Sequence, residues 1–544
     1  MEIVAVERVD HHGIVMGVIK DLGLVEQINL HLGISPDEKI TAGEAVAGMI
    51  VNGLGFTDRP MTLTPQFFSN CPLEILFRDG VQSDDFNRFK LGRTLDRICA
   101  FGCDAWFALL AQSVCKKEGI DTRFCHLDTT SFSLTGEYYA DSDEHEILIT
   151  HGYSKDHRPD LKQTVLELLV SRDGGIPLIS KVWDGNTSDN EVFRRRAQAL
   201  VDSLEASDSP TYVIADSKLY SESNAENLKN LPFITRIPET IKAVSEKILE
   251  AQSDDSNWTE HSSDRCYKEY AVDHYGLRQR WIVVHSQPAQ NRSEKSIDKA
   301  VKKEKLLIDK DIFHLQAKTY GCQSDAKRAL EEKTKKWKYH KLDHVGYVEV
   351  KKYNKRGRPL PNQVADRLEY QLVIKAIQDE EIISKNKNKM SCYVVGTNIP
   401  KDQLSASDVI AGYSEQQCVE RGFRFLKDPI FFTSSLFLKN PNRIAAMLTV
   451  MTLALLVYGI AERRMRRLLK KSEEDLPNQI DKPTQTPTLR WIFQLLDGIS
   501  RVKVDVEGRT LFKWTGMTDI RRKILRFFGQ IVADIYQIPD PVLM

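Results

Sequence analysis

Through most of the first 120 positions, apolar residues recur at threes and fours, over 13–24, 42–54, 63–67 and 86–111. That spacing predicts helices, and Thr41 three residues ahead of Glu44 supplies a capping box for the second. From 123 to 238 the pattern alternates: strands at 124–134, 164–171 and 177–182, a helix at 191–205, a strand at 211–216, a helix at 221–229 and a strand at 233–237. Three strands followed by alternating helices and strands predict a mixed sheet with helices packed on it. Strand-like runs return at 267–272, 280–284, 346–350, 370–375 and 392–395, around a highly charged helical stretch at 293–341. The apolar stretch 444–461 is long enough to span a membrane. It contains two threonines, a glycine and a tyrosine, so a buried core helix is the expectation. A Glu-rich and Pro-containing linker follows Lys471, and helical and strand signals resume over 488–542.

Composition adds little until it is read locally. Lys+Arg and Asp+Glu both count 76 in 544 residues, so whole-chain charge gives no nucleic-acid signal. Basic residues nevertheless cluster at 333–341, 351–358, 463–467 and 521–523. Each reads singly as a solvated face, and beside a nuclease centre as phosphate-neutralising surface. Arg356 and Arg358, around a glycine and before a proline, have the form of a minor-groove insertion. The nine cysteines show no Cys-x2-Cys pair, which argues against a zinc ribbon or a disulfide framework and fits a reducing cytoplasm. The N-terminus lacks a signal-peptide pattern.

The chemistry sits at three places. Tyr413, Gln416, Glu420 and Lys427 have offsets 0, 3, 7 and 14. On one continuous helix these fall within roughly a 60° arc. Two apolar runs each end in an acid, Phe124 to Asp128 and Tyr212 to Asp216, where a buried strand meets solvent. Convergence of Asp128, Asp216 and Glu420 would need a divalent cation between the carboxylates, and hard oxygen donors suit Mg²⁺ or Mn²⁺. Two such ions support phosphoryl transfer in nucleases and strand-transfer enzymes. Tyr153, Lys155, Asp156, His157, Arg158 and Asp160 lie in a loop expected near Asp128, fit for DNA contact or support of the metal site. Ser188 and Glu191 have capping-box spacing, and Asp189 and Asn190 beside them read as structural.

The order Asp, Asp, Glu with this helix resembles the DDE transposases of bacterial insertion sequences, in the superfamily named for insertion sequence four. The segments 152–163, 185–190 and 420–429 look like a long-chain branch of it, and the resemblance runs from about 125 to 467. Gln416 stands where the general pattern has arginine, and Lys427 keeps the charge. The resemblance implies an α/β, ribonuclease H-like core in two parts, 121–239 and 396–472, interrupted by a β-rich insertion domain at 240–395. A helical N-terminal domain at 1–120 is expected for DNA-end binding or dimerisation, and 473–544 for a linker and small C-terminal module. It implies Asp128, Asp216 and Glu420 as catalytic ligands of two Mg²⁺, replaceable by Mn²⁺. Phosphate contacts are expected from Tyr413, Gln416, Arg424 and Lys427, and a flipped base is expected to stack on Trp258, Trp281 being core. The implied partners are double-stranded DNA, at the terminal inverted repeats and the target, and a second copy in a synapsed homodimer. The implied place is the nucleoid of a bacterial or archaeal cytoplasm.

Overall fold

The computed structural model describes residues 2–57, 59–138, 147–189, 191–193, 195–196, 212–253, 257–354, 364–415, 417–428, 431 and 438–538. They form two units, 1–235 with 275–277 and 411–544, and 236–274 with 278–410. The expected strand 211–216 is observed as Tyr212–Ala215, and most of the expected helix 191–205 lies outside the described residues.

In the first unit, strand β1 (Glu2–Arg8) pairs antiparallel with Ser500–Val506, so the early and late parts of the sequence share a small sheet. Helix Ala42–Leu54 starts as its sequence dictates: Glu44 N donates to Thr41 Oγ1 at 3.1 Å, and Thr41 N to Glu44 Oε2 at 2.7 Å. The apolar pattern over 86–111 resolves into two helices, Arg88–Phe101 and Cys103–Glu118, bent by 90° at Gly102. Gly102 has φ 96°, a backbone that glycine alone adopts cheaply, and the apolar period continues across it, so the bend is invisible to periodicity.

Helix Pro441–Ser472 organises this unit. It is apolar and long enough to cross a membrane, yet nearly all of its apolar window is buried in the fold. Helices Ala42–Leu54, Arg88–Phe101 and Cys103–Glu118 pack around it together with a sheet strand, Pro177–Trp183. A helix apolar on all sides needs cover on all sides. Accordingly the helices of the first 120 residues share one hydrophobic core with the sheet and with Leu489, Ile492, Phe493 and Ile524 of the late segment.

The sheet within this unit comprises β2 (Phe124–Leu134), β3 (Lys162–Ser171), β4 (Pro177–Trp183), β5 (Tyr212–Ala215) and β6 (Phe233–Arg236), in the order β4-β3-β2-β5-β6. β2, β3 and β4 run antiparallel, whereas β5 lies parallel to β2 and β6 parallel to β5. This is the mixed sheet that the alternation predicts, although the helix expected at 221–229 is only a 3₁₀ turn and the short helix Ala225–Leu228.

The second unit pairs Cys392–Thr397 antiparallel with Leu277–Ser286, burying Trp281 as the sequence suggests. A long ribbon, His340–Lys352 against Arg367–Gln378, stands beside helices Gln287–Ala317 and Gln323–Thr334, which occupy the charged stretch. The unit thus carries substantial helix as well as strand.

The basic cluster at 463–467, expected as phosphate-neutralising surface, is largely spent inside the fold. Arg463 holds Asp173 at 2.6 Å, Arg464 holds Asp21 at 2.6 Å and also Glu118, and Arg466 holds Glu462 at 2.8 Å. The ends of a long core helix need anchoring to the elements around them, and these arginines provide it. Arg521 likewise donates to the carbonyls of Leu495, Gly516 and Asp497.

Three buried histidines give the fold a pH limit. Burial pushes His11 and His126 down to about 4 and His12 well below its ordinary value, and neither ring nitrogen of His12 or His126 has a hydrogen-bond partner among the described residues. Between these values and the ordinary 6.5 the unfolded chain binds the extra protons, so stability is lost as pH falls. At 1.36 kcal/mol per unit, His11 and His126 contribute on the order of 3 kcal/mol each by about pH 4. Asp128, raised by burial to about 6, opposes this with a smaller gain over the same range. Calorimetry should show Tm falling as pH drops from about 7 to about 5; a flat or rising Tm would contradict the assignment.

Candidate active site

Register brings the first two acids together. Leu127 of β2 stands opposite Ala215 of the parallel β5, so the next residues, Asp128 and Asp216, emerge side by side on strands about 4.8 Å apart. Asp128 accepts from its neighbour Thr129 N at 2.7 Å. Asp216 is the first residue past its strand and caps the turn Ser217–Leu219, accepting from Lys218 N at 2.9 Å. Burial raises Asp128 to about 6; Lys155 and the Thr129 amide pull it down, while Asp216 and Asp189 push it up. Asp216 is also raised, first by burial, with the Lys218 amide and charge opposing. Two half-buried carboxylates that repel each other are a donor set suited to a hard divalent cation.

Glu420 lies on helix Gln417–Leu426, which packs on β2 and β3 and buries Val419, Phe423 and Leu426. Glu420 and Arg424 are exposed. One expectation is corrected here. Tyr413 belongs to a separate helix, Ala406–Ser414, whose end is tightened by Glu415 N bonding Gly412 O at 3.3 Å while Arg172 clamps the Glu415 carboxylate. One continuous helix therefore does not carry Tyr413 and Glu420 on a common face. Glu420 and Lys427, seven apart, keep theirs. Gln416, Arg356 and Arg358 lie outside the described residues.

The loop 152–161 reaches the site from the other side. Lys427 Nζ meets Asp156 Oδ1 at 2.6 Å and lies over the Phe132 ring, tying the end of helix Gln417–Leu426 to this loop. Lys155 turns inward and donates to Thr129 O at 2.6 Å and Thr129 Oγ1 at 2.7 Å. Tyr153 and Arg158 stay on the surface, Arg158 paired with Asp160 at 2.7 Å, and His157 sits at φ 57°. Trp258 belongs to the second unit, edge-on to His285 with the Lys268 ammonium 5.2 Å above its ring.

Sequence reasoning missed Asp189 and Lys218. Ser188 does cap its helix, its Oγ accepting from Glu191 N at 3.3 Å, but Asp189 turns into the site. There it accepts from the Thr129 hydroxyl and pairs with Lys155 at 3.2 Å and with Lys218. The signal available was its place in the segment Gly185 to Asn190, one of the three that carry the family resemblance. Among the described residues no group of three or more His, Cys, Asp or Glu closes into a metal cage. The structure brings Asp128 and Asp216 together and sets Glu420 on the helix packed against Asp128's strand.

β2 runs on past Asp128 to Leu134, so the acid lies within its strand, where the pairing with β5 stops, and only Asp216 stands at a strand end. A mixed α/β core that presents two acids side by side there, with a carboxylate-bearing helix packed on the same sheet, has the layout of a phosphoryl-transfer enzyme. Residues 121–457 match the transposase DDE domain family, and this is more than half of the chain, which therefore belongs to that family. Residues 4–112 match a domain of unknown function, DUF4277. No curated protein matches. Among solved structures, the chain is similar to the piggyBac transposase in a cryo-EM synaptic complex with hairpin DNA, at 8% identity and a TM-score of 0.35 over 99% of this chain and 84% of that one.

Proposed function

We propose that this transposase cuts double-stranded DNA at the ends of an insertion sequence and joins the freed 3′-hydroxyls to target DNA, in metal-dependent cut-and-paste transposition. The observation that carries the reading is the register that sets Asp128 beside Asp216. The strand order, three antiparallel then two parallel, suits a ribonuclease H-like core. Asp128, Asp216 and Glu420 would hold Mg²⁺ or Mn²⁺, and such ions, when bound, activate water and neutralise charge on the transferring phosphate. The chain's own residues do the rest. Lys427, fixed by Asp156, and the exposed Arg424 receive the phosphate backbone. Tyr413 and Gln416 are proposed phosphate contacts on the strength of the family resemblance alone, while Tyr153 and Arg158 offer an exposed loop to the duplex. Alignment of the scissile phosphate, more than covalent chemistry, is what this arrangement supplies. Trp258 is the residue proposed to stack on a displaced base, and two copies are expected on a pair of ends, in a nucleoid-bearing cytoplasm.

The test is excision and joining of a labelled cassette carrying the flanking ends, with Mg²⁺. The parent should yield excised and joined products, and Asp128→Asn and Asp216→Asn should bind the DNA yet leave it uncut. Nicked DNA without joined product would favour a nuclease. Cleavage by either variant would remove that acid from the mechanism.

A further inference from the structure

Asp189 sits at the hub of a network that reaches the neighbours of both Asp128 and Asp216. One carboxylate oxygen takes the Thr129 hydroxyl and the Lys155 ammonium, the latter at 3.2 Å, and the other takes the Lys218 ammonium. Thr129 follows Asp128 and gives it a backbone N–H bond; Lys218 lies two past Asp216 and does the same for that acid. The Lys218 ammonium points to Asp189, and the Lys155 ammonium is shared between Asp189 and the Thr129 carbonyl and hydroxyl at 2.6 and 2.7 Å. Among the described residues, no ion pair joins either ammonium to Asp128 or Asp216, although both stand close enough to act on those carboxylates. Opposite charges at this range attract, so a carboxylate pair draws a nearby ammonium toward itself. Asp189 is the carboxylate that both ammonium groups meet.

We propose that Asp189 is a positioning residue: it draws the Lys155 and Lys218 ammonium groups away from Asp128 and Asp216 and so keeps the gap between those acids open to a divalent cation. The inference rests on the metal reading of the site given above. Charge counting shows why it matters. Beside Glu420, the three aspartates and two lysines add a net −1 to attract the cation; without Asp189 that contribution is zero and Lys218, whose ammonium Asp189 holds, is released toward the gap. Removing Lys218 instead makes the contribution of that group −2.

The experiment is Mn²⁺ binding to the full chain, followed by water-proton relaxation. Asp189→Asn should bind about tenfold more weakly or worse, as loss of a residue supporting metal ligands does. Lys218→Met should bind more tightly than the parent, and the double variant should return to within a few-fold of it. Glu191→Gln, which removes the same charge from the same segment, should bind as the parent does. A double variant as weak as Asp189→Asn, or Glu191→Gln as weak, would overturn the proposal. If Asp189→Asn does not fold, Lys218→Met decides: binding no tighter than parental overturns it. Asp128→Asn separates the two readings. Mn²⁺ binding that survives that change sinks the metal site and the clasp with it, whereas binding lost there but indifferent to Asp189 and Lys218 sinks the clasp alone.

Discussion

Glu420→Gln should lower DNA strand cleavage by on the order of 10³-fold while leaving the fold unchanged. The substitution keeps size and shape and removes one negative charge from an exposed position on helix Gln417–Leu426. That helix is held by Val419, Phe423 and Leu426 against β2 and β3, none of which the change touches. An exposed substitution of this kind moves stability by no more than about 0.5 kcal/mol. The two effects therefore separate at Glu420 in a way they do not at Asp128, where burial and the Thr129 amide also shape stability. The measurement pairs a cleavage gel on labelled element ends with a thermal melt of the same preparation. Cleavage within tenfold of the parent would remove Glu420 from the acid triad. A large fall in Tm would show that the residue holds the fold instead.

Much of this was legible in the sequence, and the failures have physical causes. The bounds of strand β2 were readable to the residue from its apolar and β-branched run, but the acid does not mark its exit to solvent: β2 continues through Asp128 to Leu134. The capping box at Thr41 and Glu44 was equally plain, since its chemistry is local. The break between Tyr413 and Glu420 was not, because the polar spacing suits one helix, whereas at the break Glu415 is held by Arg172, 243 residues away in the sequence, a contact that periodicity does not show. Asp189 was hidden for the same reason. Its sequence neighbours form a helix cap, and its partners Thr129, Lys155 and Lys218 come from three other segments. The arginines at 463–467 looked like a DNA surface because periodicity shows charge and not the acids that Asp21, Glu118 and Asp173 bring to meet it.

Gly185→Ala should cost both activity and stability, because three backbones cross where this residue sits. Gly185 N donates to Leu148 O at 2.9 Å, and its carbonyl accepts from Gln163 Nε2 at 2.7 Å, while Gln163 and Thr150 bridge one another through backbone bonds of 2.9 and 3.3 Å. A Cβ on Gly185 would come within 2.6 Å of the Thr150 carbonyl oxygen and closer still to that of Gln163; both are backbone atoms and cannot swing aside. Gly152 approaches Gly185 just as tightly from the other side, which accounts for glycine at both positions. Relief requires the segment 150–163 to lift, and that segment delivers Lys155 to Thr129 and Asp156 to Lys427. Overpacking of this kind costs about 1–3 kcal/mol. A displacement of about 1 Å at groups that position a reacting phosphate costs on the order of 10²-fold in rate. Gly321→Ala, where nothing lies within 4 Å of the added carbon, is the matched control and should leave both Tm and cleavage as they are. Parental cleavage and Tm in Gly185→Ala would mean that the loop is not held by this crossing, and that Lys155 and Lys427 reach the site by some other constraint.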